Sequence, residues 1–222
     1  MPFETFNPFK QPPKKDAETH KANVAVVRAL LGEKDAEEYE KLTKGDVVDA
    51  TPPLITAEDL AKVAAMQEAE RNREKTKRLW MVWADRFEIE REYIEEHAEF
   101  QVNGDVIWEG DCDWYDKGLT EFPPNFVEVT GTFYCSYNQL TSLEGAPQTV
   151  GGHFSCIHNQ LTSLEGAPQT VGGDFYCSKN PLLTTIPIGI QIGGSVYISK
   201  DQQQLKADAE SKRYNLTIID RN

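Results

Sequence analysis

The sequence predicts an α+β protein: an α-helical N-terminal region with an extended arm, then a short solenoid of repeated rungs carrying a parallel β-sheet. Three observations predict it. Residues 57–98 contain no Pro or Gly and place apolar side chains at helical spacing. The twelve residues TSLEGAPQTVGG occur twice, at Thr141–Gly152 and Thr162–Gly173, displaced by 21. Running on from the copies, stretches such as GGDFYCS alternate inward and outward positions with the period of a strand.

Composition sets the outer bounds. With 222 residues and 39% hydrophobic content, the chain can form one large or two small folded domains. A net charge of −13 argues against general nucleic-acid binding, which needs a basic footprint. No apolar run is long enough to span a bilayer, and the opening MPFETFNPFKQPPKK has no apolar core of a secretion signal. The four cysteines are therefore expected in a reducing compartment.

Residues 1–15 read as an arm. Pro2, Pro8, Pro12 and Pro13 block a regular helix. Phe3, Phe6 and Phe9 recur every third residue, which lines three rings along one edge of an extended or polyproline-type chain. The arm is either a docking peptide with Phe anchors or a tail that folds back on its own helices or is disordered. Residues 16–99 read as a helical region. Val24, Val27, Leu30 and Leu31 mark a short amphipathic helix over 16–31, closed by Gly32. Thr56-Ala57-Glu58-Asp59 is an N-terminal capping signal. A continuous helix from there to about Ala98 would run about 60 Å. Leu60, Val63 and Met66 mark one stripe, and Leu79, Trp80, Trp83 and Phe87 another. The intervening QEAERNREKTKR is polar all round, so the helix either breaks near 70–78 or reaches to a partner or a second copy. The tryptophans are expected to cover the start of the next domain.

From residue 100 the pattern changes. Asn103-Gly104 between apolar runs predicts a β-hairpin with a type I′ turn. Residues 100–200 then repeat with a period of 21, giving about five rungs with a hairpin cap before them and residues 201–222 as a C-terminal cap. Leu119, Leu140 and Leu161 align, as do Val129, Val150, Val171 and Ile192. Phe133, Phe154, Phe175 and Val196 form a column; Cys135, Cys156, Cys177 and Ile198 form another; Asn138, Asn159 and Asn180 form a third. The Asn column is expected to be buried, satisfying loop backbone groups. Pro147 and Pro168 are expected to fix the return turn, and the Gly pairs to allow close backbone approach or positive φ.

A period of this length with leucines and an Asn points to a leucine-rich-repeat solenoid. LTSLEGAPQTVGGDFYCS, with VIWEGDCDWYDKGLTEFP before it, resembles the short leucine-rich-repeat-like modules of proteins from large tailed bacteriophages. The resemblance covers residues ~100–200. It implies a binding scaffold without naming a partner.

Cys135, Cys156 and Cys177 are spaced too far for a metal knuckle and are expected to stack as buried small hydrophobes. Cys112 in DCDWYD evokes repeat-bearing ubiquitin ligases, but it occupies a repeat core position, and only ~22 residues follow the repeats, too few for their catalytic domain. Asp105, Asp111, Asp113 and Asp116 do not match a calcium-loop spacing. His153 and His158 lie at no recognisable distance from a nucleophile, and no catalytic motif is present. No enzyme, cofactor or metal is expected. The outward strand face is expected to carry Thr132, Tyr134, Ser136, His153, Ser155, Ile157, Asp174, Tyr176, Ser178, Ser195, Tyr197 and Ser199. Tyr134, His153, Tyr176 and Tyr197 make it a paratope-like stripe, since Tyr supplies contact area at low entropic cost. The expectation is a protein-interaction component, a virion structural or assembly protein with capsid or tail partners, located in the virion or host cytoplasm. The alternative is an inhibitor of a host defence or nucleic-acid enzyme acting through its acidic, Tyr-rich surface.

Overall fold

A computed structural model of the chain describes residues 57–219 and, before them, Val24, Ala25, Arg28, Glu33, Ala36, Glu37 and Glu40, each of these seven helical. The arm with Phe3, Phe6 and Phe9, the capping signal at Thr56 and most of the 16–31 helix lie outside the described residues. The chain divides into two compact units, 1–68 and 69–222.

Helix α1 runs Ala57–Arg86. It passes through residues 70–78 unbroken, but it ends at Arg86, short of the expected Ala98. The stop uses no Gly or Pro. Glu88 takes a left-handed conformation (φ 52). The Ile89 N–H then returns to the Ala84 carbonyl at 2.9 Å and the Glu88 N–H to the Asp85 carbonyl at 3.4 Å. This is the Schellman pattern with Glu in the usual Gly place, closed by contact between buried Ile89 and Ala84. Arg91 grips Asp85 across the bend at 2.8 Å. Helix α2, Arg91–His97, follows.

Towards its C-terminal end α1 buries Thr76, Trp80, Met81, Trp83 and Ala84, a stripe continued by Phe87 just past the helix. Leu79, expected on this stripe, is 45% exposed and faces away from it. The Trp80 indole N–H donates to the Pro124 carbonyl at 2.8 Å, and that of Trp83 to Glu121 at 3.1 Å. The tryptophans do cover the start of the repeats. Trp114 sits among Trp80, Trp83, Trp108, Phe126 and Phe133 at centroid distances of 4.7–6.2 Å. Its buried indole N–H has no hydrogen-bond partner. The ring faces around it are the weak acceptors available there.

The hairpin forms from β1 (Ala98–Phe100) and β2 (Val106–Trp108), antiparallel. Its turn is not type I′, because only Gly104 has positive φ (92). The Gly104 N–H bonds the Gln101 carbonyl at 3.0 Å and the Gln101 N–H bonds the Asp105 carbonyl at 2.8 Å. That is a three-residue loop ending in a left-handed Gly.

From here each rung carries two short strands, not one. The first strands are β2, β4 (Phe126–Val129), β6 (Thr149–Val150), β8 (Thr170–Val171) and β10 (Gln191–Ile192). The second are β3 (Cys112–Asp113), β5 (Phe133–Tyr134), β7 (Phe154–Ser155), β9 (Phe175–Tyr176) and β11 (Val196–Ser199). They form two six-stranded sheets, ordered β1-β2-β4-β6-β8-β10 and β3-β5-β7-β9-β11-β12. The pairings between rungs are parallel and at the 21-residue period, except where a register shift in β2–β4 sets Val106 opposite Phe126. The result is an α+β protein with a five-turn parallel β-solenoid. Helix α3 (Gln203–Ser211) and β12 (Leu216–Ile219), parallel to β11, close the far end.

The Gly pairs explain why the rungs sit so close. A Cβ on Gly151, Gly172 or Gly193 would meet the carbonyl oxygen one rung back at 2.1, 2.0 and 2.1 Å. These positions need room, not positive φ. The turn of the return segment is also not at Pro. It spans Leu143–Ala146, with Gly145 at φ 83 and the Ala146 N–H on the Leu143 carbonyl at 3.0 Å. Pro147 and Pro168 follow the turn as buried residues.

The core is a set of columns. Leu119, Leu140 and Leu161, Val129 and Val150, and Phe133 and Phe154 have no exposed surface. Phe133, Phe154 and Phe175 stack at 5.7 and 5.0 Å. Cys112, Cys135, Cys156 and Cys177 are free and fully buried, and burial pushes the Cys177 thiol up to about 12. The Asn column is buried as expected. Asn159 donates to the Cys135 and Cys156 carbonyls at 2.9 and 3.1 Å and accepts the Leu140 N–H at 3.0 Å. Gln202 takes over this task beyond the last rung, donating to the Asn180 carbonyl at 2.9 Å.

Candidate functional site

The outer face of the second sheet carries the candidate site. Three columns run across it at the 21-residue period. The first is Asp111, Thr132, His153, Asp174 and Ser195, whose identities vary but whose role as hydrogen-bond acceptor does not. In the first four rungs the side chain accepts a backbone N–H from the next, while Ser195 Oγ accepts the Asn215 side-chain amide at 2.8 Å. Asp111 takes the Thr132 N–H at 2.7 Å and Thr132 the His153 N–H at 3.3 Å. His153 Nδ1 takes the Asp174 N–H at 2.8 Å, and Asp174 the Ser195 N–H at 2.8 Å. This ladder also explains the second Gly of each pair: a Cβ on Gly173 would lie 2.6 Å from His153 Nδ1.

The second column is Asp113, Tyr134, Ser155, Tyr176 and Tyr197. Tyr134 is 40% exposed. Tyr176 and Tyr197 are half-buried because they stack on each other at 4.4 Å and 21°. The Tyr176 hydroxyl donates to Asp174 Oδ2 at 3.1 Å; burial and this carboxylate push its pKa up to about 12. Several residues expected on the outward face are buried instead: Thr132, Ser136, Ser155, Ser178 and Ser199. The strands are two to four residues long, and small hydroxyls in or beside them tuck between rungs. The Ser136 and Ser155 hydroxyls pair at 2.7 Å, and Ser136 Oγ also receives the Ile157 N–H at 3.2 Å.

A further row was not anticipated. Asp116, Tyr137, His158 and Lys179 share left-handed φ of 53, 59, 53 and 56. This conformation costs a non-Gly residue about 1 kcal/mol; at Tyr137, His158 and Lys179 it precedes the buried Asn138, Asn159 and Asn180. Tyr137 stacks on His158 at 4.3 Å, and Tyr115 packs on Tyr137 at 5.0 Å. Burial and the nearby Lys179 charge hold the His158 pKa below its ordinary 6.5. The 21-residue alignment carried this column, but nothing in it signals that the residue before each Asn must project.

Of the residues expected to bind a partner, Tyr134, His153, Tyr176 and Tyr197 are brought onto one surface, while Phe3, Phe6 and Phe9 are outside the described residues. Tyr134, His153, Ser155, Ile157 and Tyr176 line a depression of about 250 Å³. Ser155, His153 and Asp174 lie near one another without the bonding of a nucleophilic set. His153 Nδ1 accepts a backbone N–H, and Ser155 bonds Ser136 rather than His153. Among the described residues, no three His, Cys, Asp or Glu side chains gather as metal ligands. No described helix is long and apolar enough to cross a membrane. What the face offers chemically is π surface, hydroxyls and a carboxylate rim. Comparison of the chain with protein-family models, curated proteins and solved structures returns no match.

Proposed function

We propose that this protein is a non-enzymatic recognition module of leucine-rich-repeat-like kind, and that the outer face of its second sheet binds a protein partner. The observation that carries this reading is the alignment of Tyr134, His153, Tyr176 and Tyr197 on one surface around a depression. Rigid, amphipathic rings on a scaffold are favourable binding groups, because little entropy is lost when they are covered. Solenoids present such continuous faces to their partners. The leucine and Asn columns support the leucine-rich-repeat-like reading. The resemblance to tailed-phage modules gives the setting: a virion component or assembly factor with capsid or tail partners.

The test uses virions assembled with wild-type protein or with the double variant Tyr176→Ala/Tyr197→Ala, quantified by mass spectrometry. Wild type should be present in stoichiometric amount and the variant depleted at least about ten-fold, the loss of one hot-spot pair. Wild type absent from virions overturns the setting. Undiminished incorporation of the variant overturns the role of the face.

A further inference from the structure

The tyrosine column has one gap. Residues 113, 134, 155, 176 and 197 hold equivalent places on successive strands, paired in register. Where two neighbours are aromatic, as Tyr176 and Tyr197 are, they stack at 4.4 Å. Ser155 interrupts the series. Its side chain is buried and bonded to Ser136, so it forms a floor and does not project. The depression of about 250 Å³ above it has Tyr134 and Tyr176 as walls across the strands, with His153 and Ile157 along the strand.

The walls have a definite chemistry. One face of Tyr176 covers Tyr197, so its other face turns along the stack toward the slot. Strands lie about 4.8 Å apart. The slot is therefore about 4.8 Å from the ring position on either side, within the ~6 Å over which an aromatic face attracts a cation. Asp174 touches two walls: its Oδ2 accepts the Tyr176 hydroxyl and lies 3.5 Å from His153 Nδ1. On rungs one to four the outward columns carry Asp111, Asp113, Asp116 and Asp174, against Lys179, with His153 and His158 as the titratable rings. The whole chain carries −13.

We propose that the slot receives an arginine side chain from a basic segment of the partner, which rests on the reading that this face binds a protein. The guanidinium lies between Tyr134 and Tyr176, and Asp174 answers its charge. Arginine suits the slot because it is planar, stacks on rings and pairs with carboxylates at once, whereas lysine is a strongly hydrated point charge. A phenyl ring would fill the space but leave the carboxylate without a counter-charge.

The experiment titrates the full chain with end-blocked Gly-Gly-X-Gly-Gly peptides, X being arginine, citrulline, lysine or phenylalanine. NMR follows the ring protons of Tyr134 and Tyr176. Arginine should give saturable shifts, and citrulline, which keeps the shape but not the charge, should bind about ten-fold more weakly. Ser155→Tyr completes the column, fills the slot and should abolish the shifts while the remaining spectrum stays folded. Citrulline binding as tightly as arginine, shifts that persist in Ser155→Tyr, or no shift with any peptide overturns the proposal. Phenylalanine binding in place of arginine, blocked by Ser155→Tyr, overturns the arginine assignment and leaves the binding face standing. Failure of the face itself shows separately, as undiminished incorporation of the Tyr176→Ala/Tyr197→Ala variant.

Discussion

Single residues here are chosen by the neighbour one rung away as much as by their own strand. Gly172 faces the Gly151 carbonyl with no space for a methyl, while Gly110 has nothing within 4 Å but sits at φ 80. The two glycines are thus needed for different reasons, and their substitutions should differ in size. Gly172→Ala must push two backbones apart and should cost about 3 kcal/mol. Gly110→Ala carries only the left-handed strain, about 1 kcal/mol. Urea unfolding of both variants checks this; equal losses would contradict it. His158 gives the pH counterpart. Its folded pKa lies below 6.5, first because the exposed ring is partly desolvated, with Tyr137 stacked on it, and second because Lys179 stands near. Well above pH 6.5 the ring is uncharged folded or unfolded. As pH falls through 6.5 the unfolded chain takes the proton first, so stability should fall on acidification and rise with pH just below 6.5. An NMR titration should place His158 below its ordinary value, and Lys179→Gln should move it upward.

At the scale of elements, α1 is held by one narrow stripe. Trp80 is wholly buried with its N–H on Pro124, and Leu79 beside it is 45% exposed. Trp80→Ala should therefore cost about 4 kcal/mol, and Leu79→Ala no more than about 0.5 kcal/mol. Similar losses from both in chemical denaturation would mean the helix packs differently. Much of this element was legible in the sequence: the helix itself, its helical apolar spacing, and the tryptophans as a cover for the repeats. The stop was not, because Glu88 does the work normally signalled by Gly, and a left-handed Glu leaves no trace in composition. The rungs show the same division. Identical columns exposed the period, the buried Leu, Phe, Cys and Asn positions and the parallel stacking. The strand at Thr149–Val150 stayed hidden, since it lies between Pro147 and the Gly151–Gly152 pair, where turn residues dominate the pattern. The binding face was half legible. Tyr134, His153, Tyr176 and Tyr197 followed from strand alternation. The burial of Ser155, and so the slot, follows only from hydroxyl pairing with the preceding rung.

For the whole molecule, stacking of near-identical rungs means that the number of rungs is a free parameter within limits. In a solenoid each unit contacts only its neighbours, and stability is close to a sum of unit and interface terms. Deleting residues 141–161 joins Leu140 to Thr162 without changing the sequence at the junction, because the repeated segments are identical. Rung two then meets rung four. Phe133 would pack on Phe175, Asn180 would reach the Cys135 carbonyl, and Thr132 would accept the Asp174 N–H, each repeating a contact that the present rungs already make. Both end caps are untouched. The shortened chain should fold with the same two-sheet circular dichroism and melt in one transition at a lower temperature, since it loses one rung's interface. The deletion also removes Ser155 and His153 and places Tyr134 directly on Tyr176, so the slot closes and the arginine peptide should no longer bind. A folded deletion variant that binds as the full chain does would place recognition elsewhere. A chain that collapses without a cooperative transition would show that the rungs are not interchangeable units.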